Sequence, residues 1–233
     1  MSNMWRRFLP LDYRRRKLLR DAPAGPLRDY LAAPFADRGA DYRSIEFVAL
    51  DLETTGLDPD SDVILSVGMV SLVAGRIDLS TAQHYLVAPE RAVPEDSAVI
   101  HRITDDAAAR GDALADVMPR VLARLCGRVM LGHHVKIERQ FLDAACRRLY
   151  GTGFLVPVAD TEALIRRWSE RRDQVLAGRD LRLHALRTRY GLPRYTAHNA
   201  LTDALATAEL FCAFAVTANL ESRVPLKRFL EQQ

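Results

Sequence analysis

The sequence predicts an α/β fold in which a mixed β-sheet is flanked by α-helices. Three strand-like runs with short connections come first, at residues 45–51, 63–73 and 83–87, and such an order is typical of an antiparallel meander. Two short apolar runs, at 129–132 and 155–158, then alternate with segments of helical periodicity. A meander followed by alternating strands and helices is typical of the α/β class.

The residues before the first strand are basic. Residues 1–44 carry ten Lys/Arg and five Asp/Glu, a net charge of +5, and the rest of the chain carries −2. A basic leader either holds a phosphate backbone or is only a solvated arm. We divide the chain into a basic, loosely attached N-terminal extension (1–43), a main domain (44–222) and a C-terminal tail (223–233).

The composition is that of a soluble globular protein, with 48% hydrophobic and 27% charged residues in a chain of 233. No run approaches eighteen apolar residues, so we expect no membrane span and no membrane partner. The Arg-rich N-terminus lacks the apolar core of a secretory signal. The three cysteines, Cys126, Cys146 and Cys212, lie in helix-like patterns and are expected to be buried free thiols of a reducing compartment. We therefore expect a cytoplasmic protein.

The first strand ends in a pair of acids, Asp51 and Glu53. Because side chains alternate along a strand, both acids project from the same face. Adjacent carboxylates repel each other, and a divalent cation between them relieves the repulsion. Taken alone, the pair is better explained as the polar end of a strand, with both acids in water.

The next two strands follow from turn signals. The run at 58–62 predicts a turn into the second strand, and Gly75-Arg76 predicts a tight turn before the third, near Gln83 to Val87. A helix is predicted from Asp105 through Leu125.

The run at 129–132 precedes an amphipathic helix, in which apolar residues such as Phe141 and Leu142 recur at helical spacing. Glu138 lies three residues before Phe141, on the same inward stripe. A carboxylate on that stripe is unusual unless it has a partner.

The last strand ends at Asp160-Thr161, and the helical segments after it are strongly basic. This basic stretch is expected to be mostly a solvated face, with phosphate contact as the alternative. A final helix is predicted from Asn199, an N-cap residue, through Phe214. Five residues on a helix turn through about 500°, so His198 and Asp203 converge only if His198 lies in the loop before this helix.

In this order the motifs resemble those of the DnaQ-like 3′–5′ exonucleases, in the DEDDh branch that includes the epsilon-type proofreading exonuclease of DNA polymerase III. The resemblance runs from about Ile45 to Leu220. It rests on D-x-E-T-T-G-L at 51–57, I-H-R-I-T at 100–104, G-H-H-V-K-I-E at 132–138, D-T at 160–161 and H-x-A-x-x-D at 198–203. It implies a ribonuclease H-like sheet.

The resemblance also implies a chemistry. Two divalent ions, Mg²⁺ or Mn²⁺, neutralise the attacking and leaving oxygens of a phosphodiester. The implied ligands are Asp51, Glu53, Glu138 and Asp203, with Asp51 bridging both ions. His198 is the implied general base, since an unperturbed imidazole has a pKa of about 6.5.

The implied substrate contacts lie close to the first acids. Residues Thr54, Thr55 and Gly56 hold the 3′-terminal nucleotide, and Leu57 wedges between the terminal bases. His101 and Thr104 line the same end. Without the resemblance, Leu57 would be a plain core or turn residue.

Two positions depart from the family pattern. The third acid is Glu138 where the family has aspartate, and Ser66 stands where relatives often have an acid. We expect a 3′–5′ exonuclease on single-stranded nucleic acid, with DNA as substrate and a DNA polymerase or another replication or DNA repair protein as a partner. A catalytically weakened module that binds a 3′ end or a protein, and an RNA-trimming exoribonuclease of the same fold, stay open as alternatives.

Overall fold

The structure is a computed structural model, and it describes residues 10–89, 110–196, 198–218 and 223–231. Its centre is a five-stranded sheet of order β3-β2-β1-β4-β5. The strands are β1 (Phe47–Thr54), β2 (Ile64–Val73), β3 (Arg76–Leu86), β4 (Val129–Gly132) and β5 (Val158–Asp160).

The sheet is mixed, as predicted. Strands β1, β2 and β3 form an antiparallel meander, whereas β4 runs parallel to β1 and β5 runs parallel to β4. The parallel pairs bring the carboxyl ends of β4 and β5 to one edge of the sheet, beside the end of β1. The predicted α/β class is confirmed.

Two strand boundaries differ from the predictions. The first strand continues beyond Asp51 to Thr54, so both acids lie within it. The third strand begins at Arg76, directly after a turn in which Ala74 and Gly75 both have positive φ. Two left-handed residues make the type of tight hairpin turn that matches strand twist, and pairing therefore starts at once, at Val73 and Arg76.

Seven α-helices lie in the described ranges. They are α1 (Leu11–Asp21), α2 (Pro26–Ala32), α3 (Leu114–Leu125), α4 (Lys136–Tyr150), α5 (Thr161–Glu170), α6 (Leu183–Arg189) and α7 (Ala200–Thr217). The helix predicted from Asp105 begins only at Leu114. Residues 105–109 lie outside the described residues, and Asp112 makes a bridge to Val87 instead of a helical turn.

The two faces of the sheet bury separate cores. Helices α1 to α4 cover the face that carries Val48 and Leu50, and helices α5 to α7 cover the face that carries Phe47 and Ala49. Because side chains alternate along β1, Asp51 and Glu53 share the face of Ala49, beneath α7. The three cysteines are free thiols, with Cys146 buried and the others half-buried.

The segments before and after the main domain are packed into these cores. Leu27, Tyr30 and Leu31 of α2 belong to the first core, and the Tyr30 hydroxyl donates to the carbonyl of Leu155 at 2.7 Å. Residues 223–231 add apolar side chains to the second core, and Leu230 bridges to Ala159. The expected loose attachment was therefore wrong for residues 10–43, whereas the segment boundaries stay a prediction.

Helix α7 is long and apolar enough to cross a membrane by length and composition alone. It nevertheless packs against β1 and β2 and buries nine of its residues, among them Phe211 and Phe214. This is the behaviour of a core helix in a folded domain.

Candidate active site

Three carboxylates converge where β1 meets the first turn of α7. Asp51 and Glu53 come from β1 and Asp203 from α7, and one oxygen of each lies within 4.8 Å of the others. Glu53 is buried, and the other two acids are half-buried. The strand places its two acids on the face that α7 covers, so the sheet and the helix together build the cluster.

Burial and repulsion between carboxylates make Asp51 and Asp203 hard to ionise. The pKa of Asp51 lies well above its ordinary value because of burial, and the charges of Glu138, Asp203 and Glu53 add to the effect. Burial also raises the pKa of Asp203, against the lowering effect of backbone hydrogen bonds. A divalent cation would remove both penalties, since it favours the charged form.

Glu138 lies beside this cluster, in the first turn of α4. It is 6% exposed, and its Oε2 accepts no hydrogen bond from the described part of the chain. Burial raises its pKa to about 8, and the charges of Asp160 and Glu53 act in the same direction. A buried carboxylate oxygen without a donor is rare, and a cation is the partner that its chemistry suits.

The segment before α7 holds His198 in a strained conformation. His198 has φ +69°, in the left-handed region that non-glycine residues seldom adopt outside functional sites and turns. Its backbone N–H donates to Oδ2 of Asp203 at 2.9 Å. Asn199 caps the helix as predicted, accepting from the backbone N–H of Thr202 at 3.0 Å. His198 thus lies in the loop, adjacent to the acid of the same motif.

The turn after β1 is held by its own threonines. The Thr54 hydroxyl donates to the carbonyl of Gly56 at 2.6 Å, and the Thr55 hydroxyl donates to Oδ1 of Asp62 at 2.9 Å. The backbone N–H of Thr55 donates to the carbonyl of Val63. The sequence indicates Asp62 only as part of a turn signal, whereas in the structure its carboxylate anchors this turn.

Leu57 is 74% exposed at the tip of the same turn. This exposure excludes the core role for Leu57, whereas a single exposed apolar side chain is ordinary in a turn. His101 and Thr104 lie outside the described residues. The substrate contacts assigned to these residues stay predictions.

Asp160 joins two helix N-termini at the edge of the site, a role that the sequence did not indicate. Its Oδ1 accepts from the backbone N–H groups of His134 and Glu162, at 3.1 and 2.9 Å, and its Oδ2 accepts from Val135 at 3.1 Å. One buried carboxylate therefore caps α5 and fixes the entry to α4, which carries Glu138. Its position before a helix was the available signal, since aspartate is a preferred N-cap.

His133 stabilises the same edge of the site through contacts of both ring nitrogens. Burial lowers its pKa, so the ring is neutral at pH 7. Its Nε2 donates to the carbonyl of Leu181 at 2.9 Å, and its Nδ1 lies 2.8 Å from the Thr161 hydroxyl oxygen, which also lies 3.1 Å from the carbonyl of Gly132. These contacts give His133 a structural role.

Ser66 lies directly opposite Glu53 in the sheet and is fully buried. Its hydroxyl has no hydrogen-bond partner within the described ranges. The residue that departs from the family pattern therefore adds no charge to the cluster.

The fold is shared with solved exonuclease structures. The structure of the Escherichia coli ExoI–ssDNA complex superposes with a TM-score of 0.66 at 17% identity, covering 76% of this chain and 41% of that one. The nuclease domain of 3′hExo, a DEDDh family member bound to rAMP, gives 0.65 at 18% identity, covering 79% and 98%. Identities this low establish the fold alone.

The chain belongs to the RNase T exonuclease family, whose model matches residues 48–211. DNA polymerase III PolC-type from Thermotoga petrophila is 30% identical over 173 residues, 74% of this chain but 12% of the relative. DNA polymerase III subunit epsilon from Treponema pallidum is 28% identical over 170 residues, 73% of this chain and 76% of the relative. The resemblance drawn from the motifs is confirmed.

Proposed function

We propose that this protein is a divalent-metal-dependent 3′–5′ exonuclease that hydrolyses phosphodiester bonds at the 3′ end of single-stranded DNA. The observation that carries the proposal is the cluster of Asp51, Glu53 and Asp203, whose oxygens lie within 4.8 Å of one another. Membership of an exonuclease family supports the reaction type.

The donor set fits a hard cation. Carboxylate oxygens are the ligands that Mg²⁺ and Mn²⁺ prefer, and Asp51, Glu53 and Asp203 would hold such ions. Glu138 would contribute its oxygen that lacks a hydrogen-bond donor. Two bound ions would neutralise the charge on the attacking and leaving oxygens of the phosphodiester.

The remaining residues position the reactants. His198, held next to Asp203 by its backbone N–H, takes the proton of the attacking water as general base. Leu57 packs against the terminal base from its exposed position. Residues 54–56 line the terminal nucleotide, and the motif at 100–104 assigns His101 and Thr104 to the same contact.

DNA is the favoured substrate because the relatives that span most of this chain are DNA polymerase III subunits and PolC-type polymerases. The same relationship supports a polymerase, or another replication or repair protein, as a partner. We propose that the protein acts in the cytoplasm. The rAMP-bound structural neighbour is the observation that favours the alternative, an RNA-trimming enzyme of the same fold.

The test is digestion of 5′-labelled single-stranded DNA and RNA oligonucleotides with Mg²⁺, Mn²⁺ or EDTA. We expect a ladder that shortens from the 3′ end of DNA, only with metal present. D203N should lose the activity. D116N is the matched control, because Asp116 also lies in the first turn of a helix but is exposed.

Each other outcome selects an alternative. Faster shortening of RNA than of DNA makes the protein an exoribonuclease. Tight binding of a 3′ end without cleavage under any metal makes it a binding module, in which Glu138 is the feature that weakened catalysis.

A further inference from the structure

Gly68 of β2 lies directly beneath the start of α7. It pairs with Asp51 on one side and with His84 on the other. A Cβ on Gly68 would lie 2.1 Å from the carbonyl carbon of Ala200 and 2.2 Å from the backbone nitrogen of Leu201. Both are main-chain atoms, so a side chain here requires movement of the helix or the strand.

The helix therefore rests on the strand backbone at this point. Ala200 and Ala204, small residues on the buried side of the first turn of α7, are both fully buried. Asp203 belongs to that same turn, and its oxygen reaches within 4.8 Å of Asp51 and Glu53. The close approach of helix to strand is what brings the third carboxylate to the other two.

We propose that Gly68 is a positioning residue that sets the distance between Asp203 and the two acids of β1, and thereby determines the divalent-cation affinity of the site. Gly68 has no side-chain atom that could bind a metal, and it acts by setting the position of α7 on β2. The inference rests on the proposed metal site.

The size of the displacement indicates a large effect. Ordinary contact begins at 3.4 Å, so an added methyl group at 2.1 Å moves the first turn of α7 by about 1 Å. Mg²⁺ requires near-ideal octahedral geometry, and a misplacement of about 1 Å lowers rates by about 10²-fold. An effect of that size on one ligand weakens the site without removing any of its carboxylates.

The experiment compares the parent with G68A. Calorimetric titration of the metal-free protein with Mn²⁺ should show at least about tenfold weaker binding in G68A. In cleavage assays kcat should fall by about 10²-fold, while KM for the DNA strand changes by less than about threefold. A merely structural role would lower the folded fraction and leave the Mn²⁺ affinity of the folded protein unchanged.

Two variants serve as controls. G178A adds a methyl group where no atom lies within 4 Å and φ is not positive, so Mn²⁺ affinity should match the parent. V70A removes two methyl groups from a fully buried position of the same strand. V70A should lose stability but keep the Mn²⁺ affinity of the parent.

The outcomes separate this inference from the proposed function. A parent protein that neither binds Mn²⁺ nor cleaves DNA overturns the proposed function, whereas a G68A protein with parental Mn²⁺ affinity overturns only the role of Gly68. If G68A fails to fold, A204V is the second variant. Its larger side chain, at a buried position of α7, should displace the same turn and weaken Mn²⁺ binding similarly. Parental affinity in a folded A204V protein would then overturn the inference.

Discussion

The backbone N–H of His198 donates a hydrogen bond of 2.9 Å to Oδ2 of Asp203. The main chain thus joins the residue proposed as the base to the acid proposed as a ligand. The ring of His198 stays exposed, where an attacking water can reach it. The left-handed backbone of His198 keeps this arrangement in place.

Replacing His198 should therefore remove catalysis without moving Asp203. We expect H198A and H198N to lose about 10²–10⁴-fold in kcat, the range for loss of a general base. Asparagine tolerates left-handed φ, so H198N should keep the melting temperature and Mn²⁺ affinity of the parent. Single-turnover cleavage measures the rate, and an undiminished rate in H198N removes His198 from the base role.

Neutralising Asp51 should stabilise the metal-free protein while abolishing activity. Burial, and then repulsion from Glu138, Asp203 and Glu53, raise the pKa of Asp51, so its charged form is unfavourable in the folded metal-free protein. D51N removes this repulsion, so its melting temperature in EDTA should exceed that of the parent. In Mg²⁺ the order should reverse, because only the parent gains binding free energy. The exposed D116N should show neither effect, and a lower melting temperature of D51N in EDTA would contradict the repulsion.

The parts of the site that could be predicted from the sequence rest on local signals. Strand alternation places Asp51 and Glu53 on one face, and the N-cap at Asn199 places Asp203 in the first turn of a helix. Both signals are contained in a few neighbouring residues, and the structure agrees with them. The family motifs indicated which of these distant segments come together at the site.

The parts that could not be predicted depend on contacts distant in sequence. Asp160 binds backbone N–H groups of residues 134 and 135, about 25 positions earlier, and nothing in its own neighbourhood indicates them. Leu31 of α2 is fully buried, yet α2 is too short for its periodicity to reveal a core face. From the sequence alone, Gly68 is a residue that weakens a strand. Its close approach to the backbone of Ala200 is visible only in the structure.

Asp160 should be required for stability as well as for the placement of Glu138. D160A leaves the backbone N–H groups of His134, Val135 and Glu162 without their acceptor. We expect a loss of about 2–4 kcal/mol in the free energy of unfolding, from a lost cap and charge-assisted hydrogen bonds. Urea unfolding measures this loss of free energy.

D37A is the control. It removes an aspartate that accepts one backbone N–H in an exposed turn, and it should lower the free energy of unfolding by less than about 1 kcal/mol. Equal losses in the two variants would deny Asp160 its bridging role.

Glu138 should make the stability of the metal-free protein depend on pH. Its pKa is raised from 4.5 to about 8, so the folded state binds more protons than the unfolded state between these values. Stability in EDTA therefore falls as pH rises from about 4.5 to about 8, by at most about 1.4 kcal/mol per pH unit for this proton. E138Q cannot titrate and should show a shallower fall than the parent in urea unfolding across that window. Parallel curves for the two proteins would contradict the raised pKa.

The length of the Glu138 side chain should set the choice of metal. Glutamate extends the carboxylate by one methylene, about 1.5 Å, beyond the aspartate of the family pattern. Mg²⁺ demands near-ideal octahedral geometry, whereas we expect Mn²⁺, which prefers the same oxygen ligands, to be more forgiving. The parent should therefore cleave faster with Mn²⁺ than with Mg²⁺, and E138D should narrow that difference by improving the Mg²⁺ rate.

E138A provides the decisive comparison. It removes the carboxylate from a buried position where Oε2 has no donor in the described part of the chain, so we expect most activity to be lost with either metal. Its melting temperature in EDTA should not fall by as much as a cavity alone would require, because a buried polar oxygen without a hydrogen-bond donor is removed with the side chain. Cleavage rates for the parent, E138D and E138A, each with Mg²⁺ and Mn²⁺, test the ligand role directly. If E138A cleaves as fast as the parent, Glu138 is not a ligand, and Asp51, Glu53 and Asp203 hold the metal without it.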